Sequence, residues 1–380
     1  MDQRRITISD IVMGEPLPWD VYDDSNRLLL RKGQIIARES QISTLITRGM
    51  FVEARNAAGG RKQDAAAQRP TEQPSVVRYI NLANKRLERL LFNLHAEDGL
   101  EAKILDVARV IGYAVQTNAD IALSCIMLNQ GGCPYSVRHC VDTAIVVNVI
   151  GRALQKPQEE VELLMAAALT MNVGMLRQQE QFHQRAGALT GDDKSVVHAH
   201  PETGVALLRE AGVRSQLWLD CVLHHHENED GSGYPAGKRT QEIPEGARIL
   251  ALADRYCARV AQRGYRKSML PNAALRDILT TDKDKIDARL AALFIRELGV
   301  YPMGSYVRLE NGEIGVVTGR GKTTTTPTIH ALIGPRGAPL SFPIKRDTSR
   351  DLHAIRDVLA PEQAAVRISM QQIWGMEAAA

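Results

Sequence analysis

Apolar residues recur at helical spacing through most of the chain between residues 76 and 298, and this pattern limits the fold more than any other feature. In YINLANKRLERLLFNL the apolar side chains fall along one side: Ile80, Leu82, Leu87, Leu90, Leu91 and Leu94. The same spacing predicts further helices near residues 134–153, 157–171, 196–211, 217–224, 245–262, 271–279 and 284–297. A segment of this length can bury a large core, so we predict a mainly α fold, with a helical bundle over residues 76–298.

Both ends of the chain have a different texture from the bundle. Residues 1–55 contain short apolar stretches between turn residues, which predicts a small β-rich N-terminal module with one helix near Ser40–Arg48. Residues 56–75 are rich in Ala, Gly, Gln and Pro, as in a linker. Residues 299–350 alternate apolar and polar side chains across an Asn-Gly turn, which predicts a hairpin in a small β C-terminal appendage. Residues 351–380 are interpreted as a C-terminal tail.

Composition excludes several classes of function. The net charge of +3 and the aromatic content of 4% argue against binding a nucleic acid polymer. The five cysteines include no C-x-x-C pair, which argues against a disulfide framework or a zinc ribbon and fits a cytoplasmic protein. The N-terminus has no apolar signal core, and no apolar run is long enough for a membrane span.

Histidines are concentrated between His139 and His226. The candidate metal ligands are His139, His200, His225, His226 and Asp254. Imidazole and carboxylate ligands together suit zinc, manganese or iron, and a helical bundle can hold them on facing helices. A single histidine on a helix is more often structural or exposed, and that is the interpretation of His95, His183, His198, His330 and His353.

A glycine-rich turn follows these histidines in LHHHENEDGSGYPAG. Glycine lets backbone amides approach an anion closely, and Tyr234 could stack on a base or bond a phosphate. Cations that could hold a phosphate follow in QRGYRKS. The candidate ligand-binding residues are Gly231, Gly233, Tyr234, Pro235, Arg263, Arg266 and Lys267.

Together these strings resemble the HD-GYP family, whose members hydrolyse cyclic di-GMP. The matching strings are YSVRHCVDTA, HAHPETGVALL, HHHENEDGSGYPAG, IPEGARILALADRY and RGYRKSM. The resemblance covers roughly residues 100–300 and implies an HD-superfamily helical bundle that holds two or three metals, often iron or manganese. By motif position, it assigns the metal ligands to the five candidates named above, and it excludes His224 because the family's histidine pair directly precedes Glu227. Tyr234, Arg263 and Arg266 match positions associated with holding the dinucleotide.

The chain departs from the family in ALTMNVGML, where the family has His-Asp-Ile-Gly-Lys. Met171 replaces the His, Asn172 replaces the metal-bridging Asp, and Met175 replaces the Lys near the scissile phosphate. A neutral amide cannot share negative charge between two cations, and a thioether is a poor ligand for hard divalent ions. We therefore expect a degenerate member that has lost its HD dyad, holds one divalent metal (iron, manganese or zinc) or none, and has lost most or all phosphodiesterase activity.

Three functions remain open from the sequence. The first is a receptor or scaffold that binds cyclic di-GMP or a signalling protein. The second is a phosphodiesterase that uses a mononuclear site of His200, His225 and His226, and the third is a pure protein-interaction module. Apolar seams on the helices at 76–117 could form a homodimer or could pack on the bundle.

Overall fold

The computed structural model describes most of the chain, namely residues 3–5, 20–23, 27–34, 51–53, 74–129, 131–185, 187–261, 268–366 and 368–380. It divides into two compact units, Met1–Glu72 and Gln73–Ala380. Several sequence expectations lie outside the described residues: the helix near Ser40–Arg48, most of the linker at 56–75, and the cations Arg263, Arg266 and Lys267.

The first unit contains short antiparallel strands in its described part. They are β1 (Gln3–Arg5), β2 (Val21–Tyr22), β3 (Leu28–Leu30) and β4 (Phe51–Glu53), in the order β1-β4-β2-β3. β1 pairs with β4 in the register Arg4↔Val52, and β2 pairs with β3 through Val21↔Leu30. The β-rich character predicted for this end of the chain is confirmed.

The second unit begins with a helical bundle that confirms the mainly α prediction. Its helices are α1 (Val76–Phe92), α2 (Leu100–Thr117), α3 (Ala119–Leu128), α4 (Tyr135–Ala153), α5 (Gln158–Thr170), α6 (Leu176–Gln184), α7 (Gly191–Glu210), α8 (Gln216–His224), α9 (Glu245–Val260), α10 (Pro271–Thr280) and α11 (Ala288–Leu298). The sequence pattern had not marked α3 and α6 as separate helices. They are short, and the polar α6 offers little apolar periodicity.

Local signals set where these helices begin. Ser75 accepts a hydrogen bond from the Arg78 amide at the start of α1. Thr190 and Asp193 form a reciprocal capping box that starts α7 at Gly191, five residues before the start that the apolar pattern predicted. Capping side chains satisfy amide groups that have no partner inside the helix, so they fix a helix start that periodicity alone leaves vague.

The core of the bundle surrounds α4, most of whose residues are buried. The apolar seams of α1 and α2 also point into this core, through residues such as Leu87 and Ile104. Leu82 is an exception to the predicted seam because 37% of it is exposed. The seams therefore pack on the bundle, the alternative to dimerisation that the sequence left open.

A five-stranded antiparallel sheet follows the bundle, and it confirms the predicted β appendage. Its strands are β5 (Tyr306–Leu309), β6 (Ile314–Gly319), β7 (Thr328–Ile333), β8 (Pro339–Asp347) and β9 (Ile355–Leu359), in the order β8-β7-β6-β5-β9. The Asn311–Gly312 turn joins β5 to β6, with Gly312 at a φ of +87°. β9 pairs with β5 through Val307↔Val358, so the sheet extends into the 351–380 segment rather than ending near Arg350.

The end of the chain packs against the rest of this unit. The short helices α12 (Pro361–Ala364) and α13 (Met370–Trp374) follow β9. The Trp374 indole donates to the Thr318 carbonyl of β6 at 3.3 Å, and the Ser75 hydroxyl at the start of α1 donates to the Ala379 carbonyl. No single helix of the described ranges has the length and apolar character to cross a membrane. Taken together, α2 and α3 are long and apolar enough, but they meet at a bend of 112°.

Candidate functional site

Three histidines from two neighbouring helices converge in the bundle. His200 lies on α7, while His225 and His226 directly follow the end of α8. Their candidate ligand atoms all lie within 4.8 Å of one another, and among the described residues no other group of three or more histidine, cysteine or acidic side chains does the same. The structure therefore brings together three of the five metal ligands expected from the sequence.

The hydrogen bonds of this cluster leave two nitrogen lone pairs facing each other. His200 Nδ1 donates to the Val197 carbonyl at 2.6 Å, and His225 Nδ1 donates to the Val222 carbonyl at 2.7 Å. With Nδ1 protonated in each ring, both Nε2 atoms carry lone pairs, and they lie 3.3 Å apart. Two nitrogens bound at about 2.0–2.1 Å to a tetrahedral metal lie roughly 3.3 Å apart, so this pair fits a shared cation.

Burial keeps these imidazoles in the form that binds a metal. It lowers the pKa of His200 to about 3, with a smaller contribution from the neighbouring His225. Burial also lowers the pKa of His225 and of His226. Neutral imidazole is the metal-binding state, so the site is deprotonated for binding at neutral pH. Three imidazoles would leave one or more coordination positions for water or a phosphate oxygen.

His139 and Asp254, the other two expected ligands, pair with each other instead of completing the cluster. His139 Nε2 lies 2.7 Å from Asp254 Oδ1, and both residues are buried. Burial alone would raise the pKa of Asp254, but the hydrogen bond and the charge of His139 hold it well below its usual range. Their role as metal ligands stays a prediction: the contact joins His139 Nε2 to Asp254 Oδ1, while His139 Nδ1 has no hydrogen-bond partner and Asp254 has a second carboxylate oxygen.

The three positions at which the sequence departs from the family motif lie in two different places. Met171 is fully buried in the hydrophobic core, whereas Asn172 and Met175 line a cleft beside the histidines. Gly174 allows this segment to lie against α7, because a Cβ there would be 2.3 Å from the His200 carbonyl oxygen. The close approach places a neutral amide and a thioether on the cleft wall, next to the pair of His139 and Asp254.

The cleft has a volume of about 250 Å³, slightly below the roughly 300–1,000 Å³ of small-molecule sites. Among the residues that the structure describes, its lining includes no Lys or Arg, and its one acidic side chain is Asp254. The lining residues are Tyr135, His139, Asn172, Met175, Gln179, Phe182, His183, Leu189, Val197, His226, Tyr234, Asp254 and Ala258.

The glycine-rich turn folds back onto the histidine segment. The Glu227 carboxylate is buried and accepts the Ala236 amide at 2.8 Å and the Lys238 amide at 2.9 Å. A Cβ on Gly233 would be 2.4 Å from the Asn228 amide nitrogen. Gly233 is therefore required for close packing of the turn on its own backbone, whereas the sequence had suggested that it approaches an anion.

Tyr234 lies at the mouth of the cleft with both ring faces covered. The His226 ring stacks on one face at a centroid distance of 4.7 Å, and the His198 ring stacks on the other at 4.4 Å. Its amide donates to the His226 carbonyl at 3.2 Å, and the Tyr234–Pro235 peptide is cis. A base that stacks on Tyr234, one of the two roles expected from the sequence, would have to displace one of these rings, whereas bonding through the hydroxyl would not.

Sequence reasoning missed several residues of this site. His183 and His198 were interpreted as structural, yet His183 lines the cleft and stacks on Tyr135 at 4.0 Å. His198 covers Tyr234 and is exposed. A signal for Glu227 was present, because an acid directly after two histidines and before a glycine-rich turn can accept the amides of that turn.

Comparison with known proteins finds similar sequences among HD domains and cyclic di-GMP phosphodiesterases. A family model described as HD domain matches residues 123–290. A cyclic di-GMP phosphodiesterase of Pseudomonas aeruginosa is 29% identical over 232 residues, which covers 61% of this chain and 56% of the relative. The cyclic di-GMP phosphodiesterase response regulator RpfG of Xanthomonas campestris is 32% identical over 152 residues, covering 40% of each chain.

Other relatives carry a different substrate in their names. The 3'3'-cGAMP-specific phosphodiesterase 3 of Vibrio cholerae is 28% identical over 188 residues, covering 48% of this chain and 41% of the relative.

A solved HDG"Y"P protein of Bdellovibrio bacteriovorus has a TM-score of 0.51 at 17% identity, covering 77% of this chain and 98% of its own, which shows a shared fold. The chain spans about half the length of the curated relatives it matches.

Proposed function

Because the chain belongs to the HD-GYP family of HD domains, we propose that it acts in cyclic di-GMP signalling as a receptor or scaffold that binds the dinucleotide and hydrolyses it slowly or not at all. The observation that carries this proposal is the cleft wall, where Asn172 and Met175 replace the bridging carboxylate and the amine of the family motif. We place this role in the cytoplasm, as the cysteine usage suggested.

Loss of the bridging carboxylate removes the chemistry that two metals supply. A pair of cations repels unless an anionic ligand lies between them, and the Asn172 amide is neutral. The Asp254 carboxylate is the one acid on the described wall, and one of its oxygens, Oδ1, contacts His139. These residues therefore do not supply a two-metal clamp on the attacking and leaving oxygens. Met175 is neutral, so it cannot stabilise the negative charge of the transition state as a lysine would.

Retention of ligand binding is supported by the groups that remain. The His200, His225 and His226 set is suited to one divalent cation, and a metal bound there would attract a phosphate oxygen at its open position. Tyr234 lines the cleft together with His226, one member of this set. Because the described lining has no permanent cation, we expect dinucleotide affinity to depend on metal loading.

Calorimetry on anaerobically purified protein tests the proposal. Cyclic di-GMP should bind the metal-loaded protein with micromolar or tighter affinity, and binding should weaken at least tenfold after metal removal or in Tyr234→Ala. Tyr113→Ala is a matched control, since Tyr113 is 48% exposed on α2 and does not line the cleft. No binding at any metal load would refute the receptor function and favour the protein-interaction module.

The second candidate is a mononuclear phosphodiesterase. The open coordination positions of the three-histidine set favour it, because one metal can polarise a phosphoryl oxygen or activate water. One metal per chain, together with manganese- or iron-dependent turnover that disappears in His225→Ala, would establish this function. A content of two metals per chain would contradict the ligand set proposed for both candidates.

A further inference from the structure

Two consecutive residues of α9 contact different parts of the candidate site. Asp254 points into the cleft and pairs with His139. Arg255 follows it and points about 100° further round the helix, toward the turn at residues 227–234. Its Nη2 donates to Asn228 Oδ1, a contact between residues 27 positions apart.

From Arg255 a chain of hydrogen bonds continues through the turn. Asn228 Nδ2 donates to Ser232 Oγ at 2.9 Å. Ser232 then donates to Asp230 Oδ1 through its hydroxyl at 2.6 Å and through its amide at 2.9 Å. Arg255 is the one member of this chain that belongs to a helix, so it ties the turn to the rigid bundle.

Acidic residues around Arg255 compensate the charge of its guanidinium. Burial lowers the pKa of Arg255, while the carboxylates of Asp282, Asp254 and Asp230 act against that shift. A charge-assisted hydrogen bond in such a partly desolvated place is stronger than one between neutral groups. The bond to Asn228 therefore restrains the turn more than a surface contact would.

Asn228 transmits this restraint to Tyr234. The Asn228 backbone nitrogen packs against Gly233, since a Cβ added to Gly233 would be 2.4 Å from it. Gly233 directly precedes Tyr234, whose ring is inserted between His226 and His198. The Asn228 side chain also bonds Ser232, two residues before Tyr234, so we expect its displacement to move this segment and Tyr234 with it.

We propose that Arg255 is a positioning residue: through Asn228 it fixes the Tyr234 hydroxyl in the cleft and thereby sets the affinity for the dinucleotide, without contacting the metal or the ligand. This inference rests on the proposed function for its ligand. The Glu227 carboxylate holds the second half of the turn independently, through Ala236 and Lys238. Loss of Arg255 should therefore loosen the Tyr234 side of the turn and leave His225 and His226 in place.

Two measurements on the full chain test the role of Arg255. In protein labelled with 3-fluorotyrosine, the ¹⁹F resonance assigned to Tyr234 by its absence in Tyr234→Phe should shift or broaden in Arg255→Gln. Cyclic di-GMP should bind this variant about tenfold more weakly, with zinc affinity unchanged within about twofold. Arg259→Gln is the matched control, because Arg259 lies one turn along α9 and pairs with Asp277 and Asp282 rather than with the turn.

A double-mutant comparison shows whether Asn228 is the route. Asn228→Ala should have the effect of Arg255→Gln, and the double variant should be no worse than either single one. Arg255→Lys, which keeps the charge but not the planar fork, replaces Arg255→Gln if that variant does not fold. An unchanged Tyr234 resonance, or a shifted resonance with unchanged dinucleotide affinity, overturns the proposal. If the wild type does not bind cyclic di-GMP, the receptor function fails, while the fluorine measurement still decides whether Arg255 positions Tyr234.

Discussion

Asp142 should make the stability of the bundle depend on pH in a direction opposite to that of most carboxylates. It lies on α4 with 8% of its surface exposed, and burial raises its pKa to about 8, with Arg138 acting weakly against the shift. The folded-state pKa is thus above the unfolded value of 3.8. The stability linked to this group is complete below that value and is lost as the pH rises toward 8.

The magnitude follows from the size of the shift. Each pH unit between the two pKa values removes roughly 1.4 kcal/mol, so a rise from pH 5 to pH 8 should cost up to about 4 kcal/mol. Asp142→Asn has nearly the same shape and does not titrate. The variant should therefore be more stable than the wild type at neutral pH, by an amount that grows as the pH rises.

Urea unfolding at pH 5, 6.5 and 8, followed by circular dichroism, measures this difference. Asp106→Asn is the control, because the Asp106 side chain is 62% exposed and its pair with Arg109 should contribute little. A stability difference between Asp142→Asn and wild type that stays constant across the pH range would refute the reasoning. Such a result would mean that the Asp142 carboxylate is solvated or ionised in the folded protein.

Three further predictions concern the site and the core that supports it. Zinc or manganese at about one hundred times its dissociation constant should stabilise the protein by about 2.7 kcal/mol. The melting temperature should rise in the wild type and stay unchanged in His225→Ala, whereas an equal rise in that variant would contradict the three-histidine site. Gly233→Ala places a methyl group 2.5 Å from the Glu227 Cα, so cyclic di-GMP affinity should fall at least tenfold while zinc still binds; unchanged affinity by calorimetry would show that the turn adapts. Trp218→Phe removes the 2.7 Å hydrogen bond from the indole to the Thr170 hydroxyl in the core. Urea titrations should show an unfolding free energy lower by about 2 kcal/mol. A change within experimental error would mean that this bond contributes nothing.

Periodicity predicted the long helices well, because each has an apolar face that must be buried. It was less informative for α6, which is short and polar, and for the start of α7, which a capping box sets. The β5–β6 hairpin was predictable from Asn311–Gly312, since a glycine there adopts the positive φ that the turn requires. The pairing of β9 with β5 joins residues about fifty positions apart, and no local pattern indicates such a partner.

By itself, the sequence determined which chemical groups this protein can use. It supplied the His225–His226 pair, and it supplied the neutral Asn172 at the position where the resemblance expects a bridging carboxylate, a difference in charge that no packing can change. Only the tertiary structure determined which of those groups contact one another. It pairs His139 with Asp254, 115 positions away, turns the Nε2 atoms of His200 and His225 toward each other, and covers Tyr234 with His198. These contacts depend on how separate helices pack against one another. Close approaches such as that of Gly174 to α7 set distances that the identities of the residues do not determine.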